Sequence, residues 1–501
     1  MFETAELGRK VTKRDFKAEV PALRTELLKV QQELRREKKF QVMIVLGGVD
    51  GAGKSEMANT LSDWMDPRGI ATHAFGLPTE DERERPEYWR YWKTLPPKGD
   101  IAIYLGAWYL RPLLDNAYGR TGLATYDRDL NRIVAFEREL VNDGVLILKF
   151  WMHLGKKAQK KRLDALEKDP LTRWRVTGRE KENWTMYDKF EVASDRLKHK
   201  TNTAETAWHI IEGEDPNYRT LTVVRTALNE IRQRLSAKSV NASAVPSFVS
   251  SDQEPAINVL RHLDLNQDLS KKEYKIQLEK YQGRLNLLAL EARRSGLSTI
   301  LVFEGADAAG KGGAIRRLVA ALNAHQYKVI QIAAPTDEEK SRHYMWRFWR
   351  HLPRAGFITL FDRSWYGRVL VERIEKFATE GEWKRAYGEI NDFEEQLVES
   401  NAVVIKFWIH ISKEEQLKRF SARENTPYKR WKITDEDWRN REKWDEYEDA
   451  VDDMVQLTST AAAPWTLVEG NDKRFARIKV LKTCCHFLEE ALSRQKKKKT
   501  A

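Results

Sequence analysis

Cysteine is almost absent. The 501 residues hold two, Cys484 and Cys485, and they are adjacent. Neighbouring cysteines seldom pair with each other, so a disulfide framework is excluded and both read as inert thiols on a helix near the C-terminus. No run approaches the roughly 20 apolar residues that a membrane-spanning helix requires, and mean hydropathy is -0.64. The stretch Met1-Phe2-Glu3-Thr4-Ala5-Glu6-Leu7 places acids where an export signal would carry a basic and then an apolar run. The expectation is a protein of the cytoplasm with no membrane partner.

What the chain does contain is charge and core. Hydrophobic residues make up 41% and aromatics 10%, ample for packed interiors, while the length exceeds what one core supports and suits two domains. Net charge is +12, with a pI near 9.3. That balance fits a polyanionic partner, be it nucleic acid, an anionic membrane surface or an inorganic polyanion, without choosing among them. The terminal run Lys496 to Lys499 reads most simply as a solvated tail.

The same sentence is written twice. Val45-Leu46-Gly47-Gly48-Val49-Asp50-Gly51-Ala52-Gly53-Lys54-Ser55 returns as Val302-Phe303-Glu304-Gly305-Ala306-Asp307-Ala308-Ala309-Gly310-Lys311-Gly312. Gly305 stands 257 positions after Gly48, and the offset also matches Lys149-Phe150-Trp151 to Lys406-Phe407-Trp408 and Trp208 to Trp465. Between the halves, Ala237 to Ser247 is small and polar, as linkers are. The division expected is 1–236, a linker at 237–258, and 259–501. Helices are predicted over 15–38 and 272–294. Strands are predicted at Val42 to Leu46, Thr299 to Phe303, Val329 to Ala333, Phe357 to Phe361 and Ala402 to Ile409, with helices between them. This alternation predicts an α/β fold: two tandem three-layer domains with parallel sheets, and ligands at the carboxyl ends of the strands.

Strand, glycine-rich loop, lysine and helix in that order form a phosphate cradle. Backbone N–H groups approach phosphate oxygens, and the helix N-terminus favours negative charge. Gly48-x4-Gly53-Lys54-Ser55 fits the general pattern, whereas Gly312 replaces the usual hydroxyl residue in the second copy. Phosphoryl transfer also needs acids for Mg²⁺ and cations for phosphate oxygens. Asp307 lies inside the second loop. Asp362 follows an apolar strand, where a metal-binding acid of a P-loop kinase belongs, and Arg363 comes next. The first half has Leu105 and Gly106 at those two places, so it keeps an anion cradle but is not expected to turn over.

Further basic residues, Arg419, Arg423, Lys429, Arg430 and Lys432, surround Pro427, as in a lid that closes over phosphates and excludes water. Arg162, Arg173 and Arg175 parallel them. Lys473 and Arg477 follow Gly470-Asn471-Asp472, while Pro216 and Thr220 take their places in the first half. Trp346 and Trp349, repeated as Trp89 and Trp92, read as packing because both halves keep them.

These motifs, with Phe361-Asp362-Arg363-Ser364-Trp365-Tyr366, Lys429-Arg430-Trp431-Lys432 and Ala463-Pro464-Trp465, resemble the polyphosphate kinase 2 family in its two-domain form. The resemblance covers nearly all of 270–495 and, more weakly, 14–235. It implies a thymidylate-kinase-like P-loop fold and Mg²⁺-dependent transfer of the terminal phosphoryl of inorganic polyphosphate to AMP, giving ADP. It implies that Asp307 and Asp362 hold Mg²⁺, and that Lys311 with the loop residues Gly305, Ala308, Ala309, Gly310, Gly312 and Gly313 binds phosphate. Arg363 would stabilise developing charge, the lid basics with Lys473 and Arg477 would bind polyphosphate, and Pro335-Thr336 would meet the nucleotide. The first half would replace one subunit of an ancestral homodimer as an internal pseudo-dimer, and association of further chains is left open. ADP as acceptor, an ATP-dependent kinase, a nucleic-acid-binding P-loop ATPase and a non-catalytic polyphosphate sensor are the competing readings. No recognition helix or RNA-binding signature supports nucleic acid.

Overall fold

The computed structural model describes residues 2–237 and 259–500; most of the expected linker lies outside them. Ten strands form two sheets. In the first half these are β1 (Val42–Gly48), β2 (Ile70–Ala74), β3 (Ile101–Leu105), β4 (Leu146–His153) and β5 (Trp208–Glu212). In the second they are β6 (Ser298–Gly305), β7 (Tyr327–Gln331), β8 (Ile358–Asp362), β9 (Ala402–His410) and β10 (Trp465–Glu469). The sheets run β2-β3-β1-β4-β5 and β7-β8-β6-β9-β10, the same order twice, with every strand pair parallel. The strand that feeds each glycine-rich loop is central.

Near-continuous burial of β6 and β9 marks a sheet covered on both faces. Alternate residues split the work. Leu301, Phe303, Leu360, Ile405 and Phe407 enter a mostly aliphatic core with helices Lys271–Arg294, Lys311–Val319 and Lys473–Thr500. On the other face Phe361 meets Phe348 and Trp365, and Phe393 receives both Trp365 and Trp349 edge-on. Trp89, Trp92, Trp346 and Trp349 are all buried, so the repeated tryptophans are packing residues. Cys484 and Cys485 lie buried in the last helix, and burial lifts both thiols, Cys485 to about 11, which keeps them inert.

Strand placement differs from the sequence pattern in two respects. The second strand of the second half lies at Tyr327–Gln331 rather than Val329 to Ala333, because the pairing with β8 starts at Tyr327 and Ile358. Each half also has a fifth, short edge strand that the pattern does not announce. The compact units are Met1–Pro78 with Arg90–Ser243 and Thr336–His343, and Thr79–Trp89 with Ala244–Pro335 and Tyr344–Ala501. Within the first unit Lys98 N–H donates to Ser341 O (2.8 Å). Within the second, Arg85 Nε donates to Leu352 O (3.2 Å). Among the described residues no helix is long and apolar enough to cross a membrane.

Candidate active site

β6 ends at Gly305, whose φ is 150°. A Cβ there would stand 2.5 Å from the Ile409 carbonyl oxygen, so only glycine lets the loop leave beside β9. The loop turns through Ala308 in the left-handed region (φ 62°) and Gly310 (φ 118°) into helix Lys311–Val319. Lys311 curls back over it, donating from Nζ to Gly305 O (2.6 Å) and Ala306 O (3.4 Å). Burial, with Arg363 nearby, lowers its pKa, and Asp307, Asp362 and Glu304 oppose that shift.

Two strand ends bring the acids together. Asp362 closes β8 opposite Phe303, and among the described residues its carboxylate has no hydrogen-bond or ion-pair partner. Asp307 is held from three sides: Arg363 Nη2 reaches Oδ1 (2.9 Å), Asn440 Nδ2 reaches Oδ2 (2.9 Å), and Gln416 Nε2 reaches its carbonyl (3.1 Å). Arg363 sits at φ 64°, a left-handed conformation costly for a side-chain-bearing residue. The first-half residue at that place is Gly106, at φ 61°. Both halves keep the same turn, and only the second bears the strain of putting a guanidinium on it.

The residues after Arg363 fix its position. Ser364 Oγ donates to Glu304 Oε1 (2.8 Å). Trp365 Nε1 and Tyr366 OH both donate to Glu394 Oε1 (3.1 and 2.7 Å), and Lys406 Nζ bonds Glu394 Oε2 (2.7 Å) and Thr458 O (2.7 Å). Trp108, Tyr109, Glu137 and Lys149 repeat this network in the first half. Being common to both, it is scaffold: a buried ion pair whose partners are fully hydrogen-bonded.

The lid basics separate into different roles. Arg419 is buried, donating to Ala308 O (3.0 Å), Ala309 O (2.8 Å), Gly470 O (2.7 Å) and Asn471 O (2.9 Å), with Nε on Glu415 (2.6 Å). It brackets the phosphate loop to the loop after β10. Arg430 is tied locally to Glu424 O (2.7 Å). Partial desolvation and the surrounding Arg419, Arg477 and Lys429 lower the pKa of Lys473, whose side chain still reaches solvent, so these cations converge. Arg423 adds its field to Arg419. Arg477 lies against the first helical turn: a Cβ on Gly313 would be 3.3 Å from its Nη2, while one on Gly312 would meet open space. The Lys432 side chain lies outside the described residues. Thr336 caps helix Asp337–Lys340, its hydroxyl accepting from Glu339 N–H (3.3 Å).

A cavity opens beside the acids. Glu304, Asp307 and Arg363 form one end, and Leu260, Leu370, Val371, Trp408, Trp444 and Tyr447 form apolar walls with His410, Gln416 and Asn440 among them. Neither Pro335 nor Thr336 lines it. Glu304, its pKa raised by burial, was readable from the paired motifs, since Gly47 replaces it in the first half. Asn440, Gln416 and the walls come from distant segments and carry no local signal.

Residues 10–239 and 268–499 both match the family model described as Polyphosphate kinase 2. The chain belongs to the polyphosphate kinase 2 family. It is 48% identical over 499 residues to the polyphosphate:AMP phosphotransferase of Pseudomonas aeruginosa, covering 99% of this chain and 100% of that one. It is 38% identical to the protein so named from Acinetobacter johnsonii, over 88% of this chain and 89% of that one. A crystal structure of a polyphosphate kinase 2 from Pseudomonas aeruginosa PA01 superposes with a TM-score of 0.88 at 46% identity, covering 99% and 100% of the two chains. Both sheets therefore belong to a P-loop kinase fold, and the family's doubled form extends over this whole chain.

Proposed function

We propose that the second half transfers the terminal phosphoryl group of inorganic polyphosphate to AMP, giving ADP. The observation that carries this reading is the meeting of Asp307, Asp362, Arg363 and Lys311 at one phosphate loop, beside a cavity walled by aromatic side chains. The names of the full-length relatives supply the donor and acceptor.

A phosphate oxygen of AMP attacks the terminal phosphorus of the polymer. The new P–O bond forms as the bond to the bridging oxygen breaks, and the shortened chain leaves with that electron pair. Loop amides and Lys311 bind phosphate oxygens of the donor, while Lys473, Arg477 and Lys429 neutralise the polymer behind it. Arg363, anchored by Asp307, faces the charge developing on the transferred group. Trp408, Trp444 and Tyr447 offer flat faces for the adenine base, leaving its phosphate toward Asp307 and Arg363. Asp307 and the unpaired Asp362 are hard oxygen donors suited to Mg²⁺. When bound, the ion neutralises phosphoryl oxygens. Both substrates are polar and the reaction suits the cytoplasm.

Purified protein with Mg²⁺, polyphosphate and either AMP or ADP, in the absence of ATP, tests this. ADP formed from AMP supports it. ATP formed from ADP alone would move the acceptor, and phosphorylation of AMP only by ATP would overturn the donor.

A further inference from the structure

The first half keeps the cradle, yet a carboxylate already engages the cations beside it. Lys54 Nζ donates to Gly48 O (2.6 Å) and Val49 O (3.0 Å), as Lys311 does in the other copy. Beside the loop, however, stands Arg219, buried, donating from Nη1 to Ala52 O (3.1 Å) and Gly213 O (2.9 Å). A Cβ on Gly53 would fall 2.2 Å from its guanidinium carbon, whereas a Cβ on Gly310 would have nothing closer than 4.0 Å. Arg419 takes the equivalent carbonyls of Ala309 and Gly470 in the second half, so a guanidinium stands beside both loops, but the first half draws its own about 2 Å closer to the loop glycine.

What holds Arg219 there is a carboxylate. Glu56, in the first turn of helix Lys54–Trp64, receives Arg219 Nη2 on Oε2 (2.7 Å), and on Oε1 it receives Arg162 Nη2 (2.8 Å) and Arg175 Nη1 (3.4 Å). The corresponding residue of the second half is Gly313, which has no side chain, and Ala476 replaces Arg219. Glu56 thus meets three cations at the start of a phosphate-loop helix, as a phosphate would. The place that matches the second half's cavity is covered too. The Phe2 ring stacks on His153 at 4.4 Å and 13°, and His153 and Trp151 correspond to His410 and Trp408 of the second half's cavity.

We propose that the phosphate site of the first half is occupied by an internal ligand, the Glu56 carboxylate, so that the chain takes up polyphosphate at one phosphate loop and not two. The proposal uses the functional reading above only for the identity of the anion.

Calorimetric titration of the full chain with inorganic tripolyphosphate, without nucleotide, reads this directly. Wild type is expected to bind one equivalent, Lys311→Ala none, and Glu56→Gly/Lys311→Ala one, with affinity about tenfold or more above that of Lys311→Ala alone. A site that survives Lys311→Ala and disappears with Lys54→Ala would show the first loop open in the native chain and overturn the proposal. So would a folded Glu56→Gly/Lys311→Ala protein that binds none. Glu56→Gln, which keeps the shape and removes the charge, gives the same readout if the glycine variant does not fold. Wild type binding none while Glu56→Gly gains a site would remove the second-half reading and leave the internal ligand standing.

Discussion

Arg363 Nη2 lies 2.9 Å from Asp307 Oδ1, joining the residue after β8 to the middle of the loop after β6. The bond depends on a side chain at a left-handed position (φ 64°) where the first half uses Gly106. Arg363→Gly is expected to lower kcat at least about 100-fold, while the protein becomes as stable as wild type or more so by about 1 kcal/mol. Kinetics and urea unfolding on the same preparation check both. Loss of stability along with activity would show that the turn is unstrained.

The reverse change is expected to fail. A Cβ on Gly106 would lie 2.7 Å from Phe75 O and 3.0 Å from Leu110 Cδ2, so the first half has closed over the place its arginine would need. Leu105→Asp/Gly106→Arg in an Asp362→Asn background should therefore show no turnover. Asp50→Asn in the wild-type chain should change kcat less than about twofold, against about 100-fold or more for Asp307→Asn or Asp362→Asn. Equal losses from Asp50→Asn and Asp307→Asn would mean that both halves work.

Arg419 and Arg477 are expected to part company on mutation. Arg419→Ala strands the carbonyls of Ala308, Ala309, Gly470 and Asn471. It should cost about 2–4 kcal/mol of stability and reduce kcat by distorting the loop. Arg477→Ala should leave stability within about 0.5 kcal/mol and raise KM for polyphosphate more than KM for AMP. A purely kinetic effect of Arg419→Ala would make it a substrate contact after all.

That contrast marks where sequence reasoning stops. Arg419 and Arg423 look alike in a basic helix, and only tertiary structure shows Arg419 turned into carbonyls. Asp307, Lys311, Asp362 and Arg363 were legible because phosphate loops and strand-end acids require those residue types at fixed local spacing. The parallel sheets were legible because apolar runs alternate with helices at a constant offset. The fifth strands were not, since Trp465-Thr466-Leu467-Val468-Glu469 is short and mixed, and pairs only with β9. Pro335-Thr336 is assigned to the nucleotide only through the family resemblance, and what the structure adds is that the Thr336 hydroxyl caps a helix. The cavity gathers Leu260, Trp408 and Trp444 from segments far apart in the chain, which no single window can show.

Trp444 and Tyr447 wall this cavity, and Tyr447 OH donates to Asn440 Oδ1 (3.2 Å), the amide that holds Asp307. If they meet the base, Trp444→Ala should raise KM for AMP about tenfold, since aromatic stacking on a base contributes about 1–3 kcal/mol. KM for polyphosphate should stay within about twofold. Initial rates with each substrate varied in turn decide it, and an unchanged KM for AMP would place the nucleoside elsewhere.

His410 closes the same cavity, and burial pulls its pKa down to about 4. Among the described residues its Nδ1 has no hydrogen-bond partner to hold a proton. Unfolded, the ring titrates near ~6.5, so between the two values the unfolded chain binds more protons than the folded one. The stability gained by keeping this ring neutral is complete above the unfolded pKa and is lost progressively as pH falls from there toward 4. Across that window the loss from this residue amounts to about 2–3 kcal/mol. His410→Phe, which cannot titrate, should lose correspondingly less stability between pH 7.5 and 4.5 than wild type in parallel urea unfolding. Superimposable pH dependences would show that the ring is hydrated or already protonated in the folded state. The catalytic profile between pH 6 and 8 should be the same for both proteins, because a ring that stays neutral there contributes no ionisation to the reaction.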